Sequence, residues 1–102
     1  MIVHFTSEAR AAVRVQRAWW EQHRDKAPQL FRDEQREAVA MLRTAPKQSA
    51  QTYAVLGGRV IWRRLMPKTR HHIYFGIDEA AGVVEVLTVW NAQGGANPDF
   101  SF

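Results

Sequence analysis

The spacing of apolar residues changes halfway along this chain, and that change constrains the fold more than any other feature. From Glu8 to about Arg43, apolar residues recur every three or four positions, as on one face of a helix. After Pro46 they alternate with polar residues or form short apolar runs, as in strands. A chain of 102 residues has room for one hydrophobic core. We therefore expect both halves to pack together as a single domain, residues 1–102.

The first half predicts a short strand followed by two helices. Residues 1–6 alternate weakly and run into Ser7, a residue type that favours a helix N-cap. A turn at residues 25–28 interrupts the helical spacing, and Pro28 suits the first turn of a second helix because its missing N–H is not needed there. Residues 7–44 are therefore predicted to form a helical hairpin, with Trp19 and Trp20 in or beside the core.

The second half predicts an antiparallel meander over residues 51–91, with turns at residues 57–58, 67–68 and 79–82. In residues 70–78, alternate positions from Ile73 to Ile77 are apolar and the intervening ones are mixed, which predicts one buried and one open face. The sequence does not show which face of the strand over residues 60–66 is buried, because both the odd-numbered and the even-numbered residues include apolar residues and an arginine. The predicted fold class is α+β: an N-terminal strand, a two-helix hairpin packed on a three- to four-stranded antiparallel sheet, and a C-terminal tail, residues 92–102.

Charge is distributed unevenly along the chain. The net charge is +4, but residues 38–77 contain seven Lys and Arg and no acidic residue, while residues 78–102 contain four acidic residues and no Lys or Arg. A basic block of this kind attracts a polyanion, either an acidic protein segment or nucleic acid. Of these two, we favour the protein segment.

Several classes of site and location are excluded by composition. The chain has no cysteine, so disulfide frameworks, cysteine zinc sites and thiol nucleophiles are ruled out. His71 and His72 are neighbours on a predicted strand and would point to opposite faces, so we expect no metal site, and we predict no cofactor. No stretch is apolar enough to span a membrane, and residues 1–8 lack the pattern of a secretory signal. We expect a cytoplasmic protein.

Four groups of residues, spread from the first helix to the tail, are typical of one protein family when they occur in this order. They are Trp19-Trp20 with Arg24, Ala27-Pro28 and Leu30-Phe31 with Glu34, the run from Lys68 to Phe75, and the run from Val86 to Trp90 followed by Gly94 and Pro98. On these residues the chain is similar to toxins of the RelE/ParE superfamily, and it most resembles the ParE-like branch.

The resemblance implies a toxin of a type II toxin–antitoxin pair, held inactive in a hetero-oligomer by a cognate antitoxin. ParE-like members inhibit DNA gyrase by protein binding, whereas RelE-like members cleave mRNA on the ribosome, so the fold alone does not choose between them. We expect a gyrase inhibitor without catalysis of its own. The alternatives are a ribosome-dependent endoribonuclease and an attenuated relative that only binds the antitoxin. The attenuated reading follows from Asn91, where many relatives have histidine, and from the uncharged Gln93-Gly94-Gly95.

The basic block, the end of the last strand and the tail supply the candidate site residues. The predicted partner-binding residues are Arg63, Arg64, Lys68, Arg70, His72, Trp90, Asn91, Phe100 and Phe102. A nuclease would use Arg63, Arg64 and Arg70 to bind phosphate, and His72 would be its one group able to exchange a proton near neutral pH. Glu34 is expected to be a rim carboxylate paired with an arginine.

Overall fold

Seven elements follow one another in the computed structural model, which describes residues 1–92, Pro98 and Phe100. In chain order they are strand β1 (Ile2–Phe5), helices α1 (Ser7–His23) and α2 (Leu30–Thr44), and strands β2 (Ala50–Leu56), β3 (Arg59–Met66), β4 (His71–Asp78) and β5 (Val83–Asn91). The predicted α+β class is confirmed. Neither helix in the described part of the chain is long and apolar enough to cross a membrane.

The sheet has five strands rather than the three or four predicted, because β1 joins it. The strand order is β1-β5-β4-β3-β2, so the meander of β2 to β5 is antiparallel, as predicted, and β1 is added at the edge. β1 runs parallel to β5, with Ile2 beside Val83 and Phe5 beside Val86. The weak alternation of residues 2–5 gave no indication of a partner so distant in sequence. Both helices pack on one face of this sheet and contact it more than each other.

The helix starts differ slightly from the prediction. Thr6, and not Ser7, caps α1: its Oγ1 accepts a hydrogen bond from the Ala9 N–H at 3.0 Å. Pro28 lies in the turn before α2, which begins only at Leu30. These shifts leave most of the apolar face of α1 in place, because residues 9, 13, 16 and 20 point to the sheet. Trp20 is in the core as predicted, whereas Trp19 is exposed and stacks on His23.

The main core lies between the helices and the sheet. Trp20, Phe31, Ile73, Phe75 and other apolar side chains from both helices and from β3 to β5 form one buried cluster. The Trp20 indole N–H also donates to the Ala27 carbonyl at 2.8 Å, which anchors the loop between the helices. Full burial of each such large side chain stabilises the fold by roughly 1.5–3 kcal/mol.

The other sheet face, here called the outer face, is not open as predicted. Tyr74 is only 2% exposed, and it forms a second, smaller cluster with Ile61 and Leu87, against which Tyr53 and Phe100 also pack. Irregularities in the strand pairing accompany this cluster, one on β2 beside Tyr53 and one where β4 meets β5. The outer face therefore carries its own apolar patch, which the alternation within β4 did not predict.

Two tight turns set where the strands begin. Gly57 and Gly58 have φ angles of 58° and 77°, which glycine adopts without strain, and they connect β2 to β3 as predicted. Arg70 also has a positive φ, 63°, so it belongs to the turn before β4 rather than to the predicted strand of residues 70–78. Arg70 is exposed in that turn beside the sheet.

Candidate functional site

The pairing of β3 with β4 settles which face each arginine of β3 occupies. Arg63 lies opposite Tyr74, on the outer face, whereas Arg64 lies opposite the fully buried Ile73, on the face covered by the helices. Neighbouring residues of a strand point to opposite faces. The two adjacent arginines therefore belong to different surfaces.

The four cations predicted to act together consequently form two pairs. Arg63 and Arg70 both lie close enough to His72 to affect its titration, and this pair belongs to the outer face. Arg64 and Lys68 line a cleft beside α2 instead. The sequence placed these residues in one basic block, but the fold gives them two different sites.

Arg63 lies among polar and aromatic side chains on the outer face. This group, here called the outer cluster, consists of Gln51, Tyr53, Arg63, Arg70, His72 and Tyr74. Arg63 Nε donates a long hydrogen bond of 3.4 Å to Gln51 Oε1, and its guanidinium carbon lies 5.3 Å from the Tyr53 ring centre. The Tyr74 ring meets Tyr53 edge-on at 4.9 Å and His72 at 5.9 Å between centres. These contacts hold the guanidinium beside the imidazole and the two phenols.

The electrostatic environment of the outer cluster affects both of its shifted titratable groups. Partial burial, followed by the positive charges of Arg63 and Arg70, lowers the pKa of His72 below its ordinary value. Burial raises the pKa of Tyr74, although a hydrogen bond from Arg63 acts in the opposite direction. Near neutral pH the cluster therefore holds a neutral imidazole, a protonated phenol and two arginines. That combination binds an anion, and its imidazole is able to accept a proton.

Among the residues that the structure describes, none cancels the positive charge of this site. Within the described part of the chain, no carboxylate lies at ion-pair distance from Arg63 or Arg70. Farther along the same face, Arg59 Nη2 does pair with Glu85 Oε1, at 2.7 Å. Gly76 leaves room for that pair, because a Cβ there would lie 2.5 Å from the Arg59 guanidinium. Arg63 and Arg70, at the His72 end, thus have no ion pair within residues 1–92, Pro98 and Phe100.

The two predicted residues at the end of β5 have different positions. Trp90 lies opposite His72 and packs against the small cluster of the outer face. Asn91 lies opposite His71, so strand pairing places it on the helix-covered side, away from the outer cluster. Of these two candidates, only Trp90 adjoins the predicted imidazole.

The tail reaches the outer cluster through Phe100. The Phe100 ring centre lies 5.5 Å from that of Tyr74 and 6.0 Å from that of Tyr53, so this side chain packs on the protein's own sheet. The other predicted tail residue, Phe102, lies outside the described residues, and so does Gln93-Gly94-Gly95.

We expect Phe100→Ala to lower the free energy of unfolding by about 1–2 kcal/mol, because two aromatic contacts and part of their buried area are lost. A urea titration followed by tryptophan fluorescence measures this difference. Removal of residues 97–102 should cost at least as much. Unchanged stability, combined with weaker binding to a partner, would instead identify Phe100 as a recognition residue.

The second cation pair lies in a cleft of about 600 Å³ between α2 and the end of β3. Strand β2 pairs with β3 only as far as Arg64, so the last residues of β3 border this cleft directly. Its apolar lining comes from Ala38, Met41, Met66 and Pro67. Arg64 and Lys68 supply positive charge, and two carboxylates, Glu34 and Glu37, also line the cleft. An extended or helical segment with apolar anchors and acidic side chains complements such a lining.

Glu34 has a role that the sequence did not indicate. It is 5% exposed, and instead of pairing with an arginine its carboxylate accepts hydrogen bonds from the turn between β3 and β4. The donors are the Lys68 N–H at 2.7 Å, the Thr69 N–H at 2.8 Å and the Thr69 hydroxyl at 2.6 Å. Glu34 therefore fixes the turn that carries Lys68 and Arg70, and it connects α2 to both cation pairs.

His71 is a buried imidazole between the helices and the sheet. It is fully buried, its Nε2 lies 3.0 Å from Gln16 Oε1, and Phe31 meets it edge-on. Among the described residues, Nδ1 has no hydrogen-bond partner. Burial lowers the pKa of His71, although the Thr69 backbone and the Glu34 charge act in the opposite direction.

This burial predicts a pH dependence of stability. The unfolded chain binds a proton at His71 near pH 6.5, whereas the folded chain does so only at lower pH, so stability falls as the pH drops below about 6.5. We expect the melting temperature to decrease between about pH 7 and pH 5, and His71→Gln to flatten that decrease. His72→Gln should flatten it less, because His72 is less buried. An unchanged slope in His71→Gln would refute this assignment.

Comparisons with known proteins add no further evidence: no protein-family model, no curated protein and no solved structure matches this chain. In the described part of the chain, no three His, Asp or Glu side chains come together in a group able to hold a metal ion. The four cations predicted from the sequence thus belong to two sites suited to a charged partner, the outer cluster and the cleft beside α2.

Proposed function

We propose that this protein is a ParE-like toxin of a type II toxin–antitoxin pair, which inhibits DNA gyrase by protein binding and is neutralised by its antitoxin. The observation that carries the proposal is the cleft beside α2, where apolar side chains lie next to Arg64 and Lys68. An acidic, amphipathic antitoxin segment fits that combination, since its apolar anchors are buried while its carboxylates meet the two cations. The toxin and antitoxin form a hetero-oligomer in the cytoplasm.

The outer cluster is the surface that we assign to the target. It presents Arg63 and Arg70, which form no ion pair with the residues that the structure describes, and beside them the half-buried aromatic ring of Trp90. Arginine and tryptophan are the residues on which tight protein interfaces most often depend. Because the target and the antitoxin occupy opposite faces of the sheet, the antitoxin neutralises the toxin by restricting access or by changing its shape, not by covering the outer cluster directly.

The test is to express the chain without its antitoxin and to measure gyrase supercoiling and DNA cleavage alongside primer extension on translated mRNA. We expect growth arrest, loss of supercoiling and intact mRNA. Arg63→Gln with Arg70→Gln should relieve the inhibition, whereas Lys26→Gln, an exposed charge in the loop between the helices, should not. Gyrase activity unaffected by the pure toxin would contradict the proposal. Absence of any growth arrest would favour the attenuated, antitoxin-binding alternative.

One observation favours a second candidate, a ribosome-dependent endoribonuclease. His72 has a lowered pKa and lies near two arginines, which suits a general base beside a bound phosphate. This candidate is weaker because the site offers only one group, His72, that exchanges a proton near neutral pH. RNA cleavage needs a proton acceptor and a proton donor, and the nearby Tyr74 phenol is 2% exposed. We therefore place this candidate second.

His72→Gln separates the two candidates. For a gyrase inhibitor we expect the variant to fold and to keep at least part of its toxicity, because His72 is one contact among several on the target surface and no proton transfer depends on the imidazole. For a nuclease that relies on His72, the cleavage rate should fall by about 10²–10⁴, the usual contribution of general acid–base catalysis. The measurements are single-turnover mRNA cleavage and gyrase inhibition with the same preparations. Complete loss of gyrase inhibition by a correctly folded variant would show that the toxin depends on the imidazole itself and would count against the proposed function.

A further inference from the structure

A surface between the two helices carries arginines that the proposed function does not use. Two adjoining cavities, of about 340 and 430 Å³, lie beside α1 and α2, and Gln35 lines both. The arginines that line them, here called the hairpin arginines, are Arg10, Arg14, Arg17, Arg32, Arg36 and Arg43. Among the residues that the structure describes, no acidic one lines either cavity.

The net charge of residues 1–37 does not indicate this surface, because acidic residues nearly balance the basic ones there. The helical period, however, places the arginines and most of the acidic residues on different sides of the helices. Arg10, Arg14 and Arg17 follow one another at intervals of four and three residues, which places them on one stripe of α1. On α2, Glu34 is buried against the turn between β3 and β4, and Glu37 lines the cleft on the other side.

Neighbouring carboxylates neutralise the hairpin arginines only in part. Arg17 and Arg32 share Glu21, at 3.7 and 3.8 Å, and Arg36 lies 3.9 Å from Asp33. These are long, solvent-exposed pairs of the kind that contributes little free energy. The remaining three, Arg10, Arg14 and Arg43, are exposed and have no ion pair with any residue that the structure describes.

The spacing of these arginines fits a regularly charged polymer. At the helical rise of 1.5 Å per residue, Arg10 to Arg17 span about 10 Å of α1, and Arg32 to Arg43 span about 16 Å of α2. A nucleic-acid duplex carries one negative charge about every 1.7 Å along its axis, so each stripe is able to meet several phosphates. The aromatic lining residue Phe5 packs against the core and offers no platform for stacking an unpaired base.

We propose that the hairpin arginines bind the phosphate backbone of a nucleic-acid duplex without reading its base sequence. Their guanidinium groups supply charge and hydrogen-bond donors to phosphate oxygens. This site is independent of the proposed function, because neither the outer cluster nor the cleft beside α2 contributes to it. It gives the domain a third surface, through which it is held on the nucleic acid while the other two remain free for proteins.

The test measures the affinity of the full chain for a short, fluorescently labelled DNA duplex at several salt concentrations. Each phosphate contact contributes about 0.9 to the slope of log affinity against log salt, so the wild type should give a slope of about −3 to −5. Arg14→Gln, Arg36→Gln and Arg43→Gln together should make that slope shallower by about 2–3. The same positions changed to lysine should restore most of it, because lysine also neutralises phosphate.

The matched control removes the same charge elsewhere. Arg24→Gln, Lys26→Gln and Lys47→Gln, three exposed positions outside the two cavities, should leave the slope within about one unit of the wild-type value. An equal loss in the control would mean diffuse attraction to the whole protein and would overturn the site, as would a wild-type chain that does not bind. Folding of each variant is checked by its melting temperature.

Competitors identify the ligand class. A DNA duplex and an RNA duplex that both displace the label support recognition of the backbone, and preference for one of them identifies which duplex the site takes. Single strands that bind as tightly as duplexes would contradict the proposal. An acidic peptide of equal charge that competes equally well would assign the surface to an acidic protein and would overturn it too. Loss of gyrase inhibition has no bearing on any of these measurements.

Discussion

Glu34→Ala is expected to destabilise the protein by about 3 kcal/mol, because it leaves two backbone N–H groups and a hydroxyl without their carboxylate acceptor. For a domain of this size, such a loss lowers the melting temperature by roughly 12–20 °C. Thermal unfolding followed by circular dichroism measures it directly. The effect is large because the Thr69 donors are buried and have no water to replace the lost bonds.

The matched control is Glu37→Ala, three residues further along α2. Glu37 is exposed, so the same chemical change should alter stability by less than about 0.5 kcal/mol. Glu34→Gln should fall between the two variants, because its amide retains one oxygen acceptor but loses the charge. Equal melting temperatures for Glu34→Ala and Glu37→Ala would show that the turn between β3 and β4 does not depend on this carboxylate.

Reversal of both charges in the cleft beside α2, Arg64→Glu with Lys68→Glu, should weaken the complex with the antitoxin by at least about 100-fold. Loss of one partner of a buried charge pair costs about 2–5 kcal/mol, and reversal adds repulsion of the acidic segment. Isothermal titration of the purified antitoxin into each variant measures the change. The expectation follows from the proposed function, and it differs from one based on the sequence alone, which would have included Arg63 and Arg70.

The comparison variant is Arg24→Glu with Lys26→Glu, which makes the same change in net charge in the loop between the helices. It should alter the affinity by less than about fivefold, mainly through screened long-range attraction. Unchanged affinity in the cleft variant would show that the antitoxin binds elsewhere. Similar losses in both variants would mean that net charge, and not the cleft, determines the affinity.

The type of each element was predictable from residues close together in the sequence. The helical recurrence of residues 9, 13, 16 and 20, the alternation from Ile73 to Ile77 and the Gly57-Gly58 turn all correspond to observed elements. The reason is physical. A helix or a strand places side chains on one face at fixed short intervals, so the apolar residues of a buried face are close together in the sequence. The opposite orientations of His71 and His72 followed from the same rule.

The sites were decided by the tertiary structure. In residues 60–66, both alternating sets of positions include apolar residues and an arginine. Only the pairing of β3 with β4 therefore shows which face Arg63 occupies and which face Arg64 occupies. The burial of Tyr74 required Tyr53 from another strand and Phe100 from the tail. The hydrogen bonds of Glu34 required a turn more than thirty residues away.

By itself, therefore, the sequence determined a β-α-α-β meander domain with a basic block over residues 38–77, because periodicity and charge are properties of neighbouring residues. The parallel pairing of β1 with β5, the division of the basic block into two surfaces and the arginine-lined surface between the helices were determined only by the tertiary structure. The free energy of each comes from contacts between segments that the chain brings together on folding. The residues near a strand, a carboxylate or an arginine in the sequence do not determine which of several compatible partners it contacts in the folded protein.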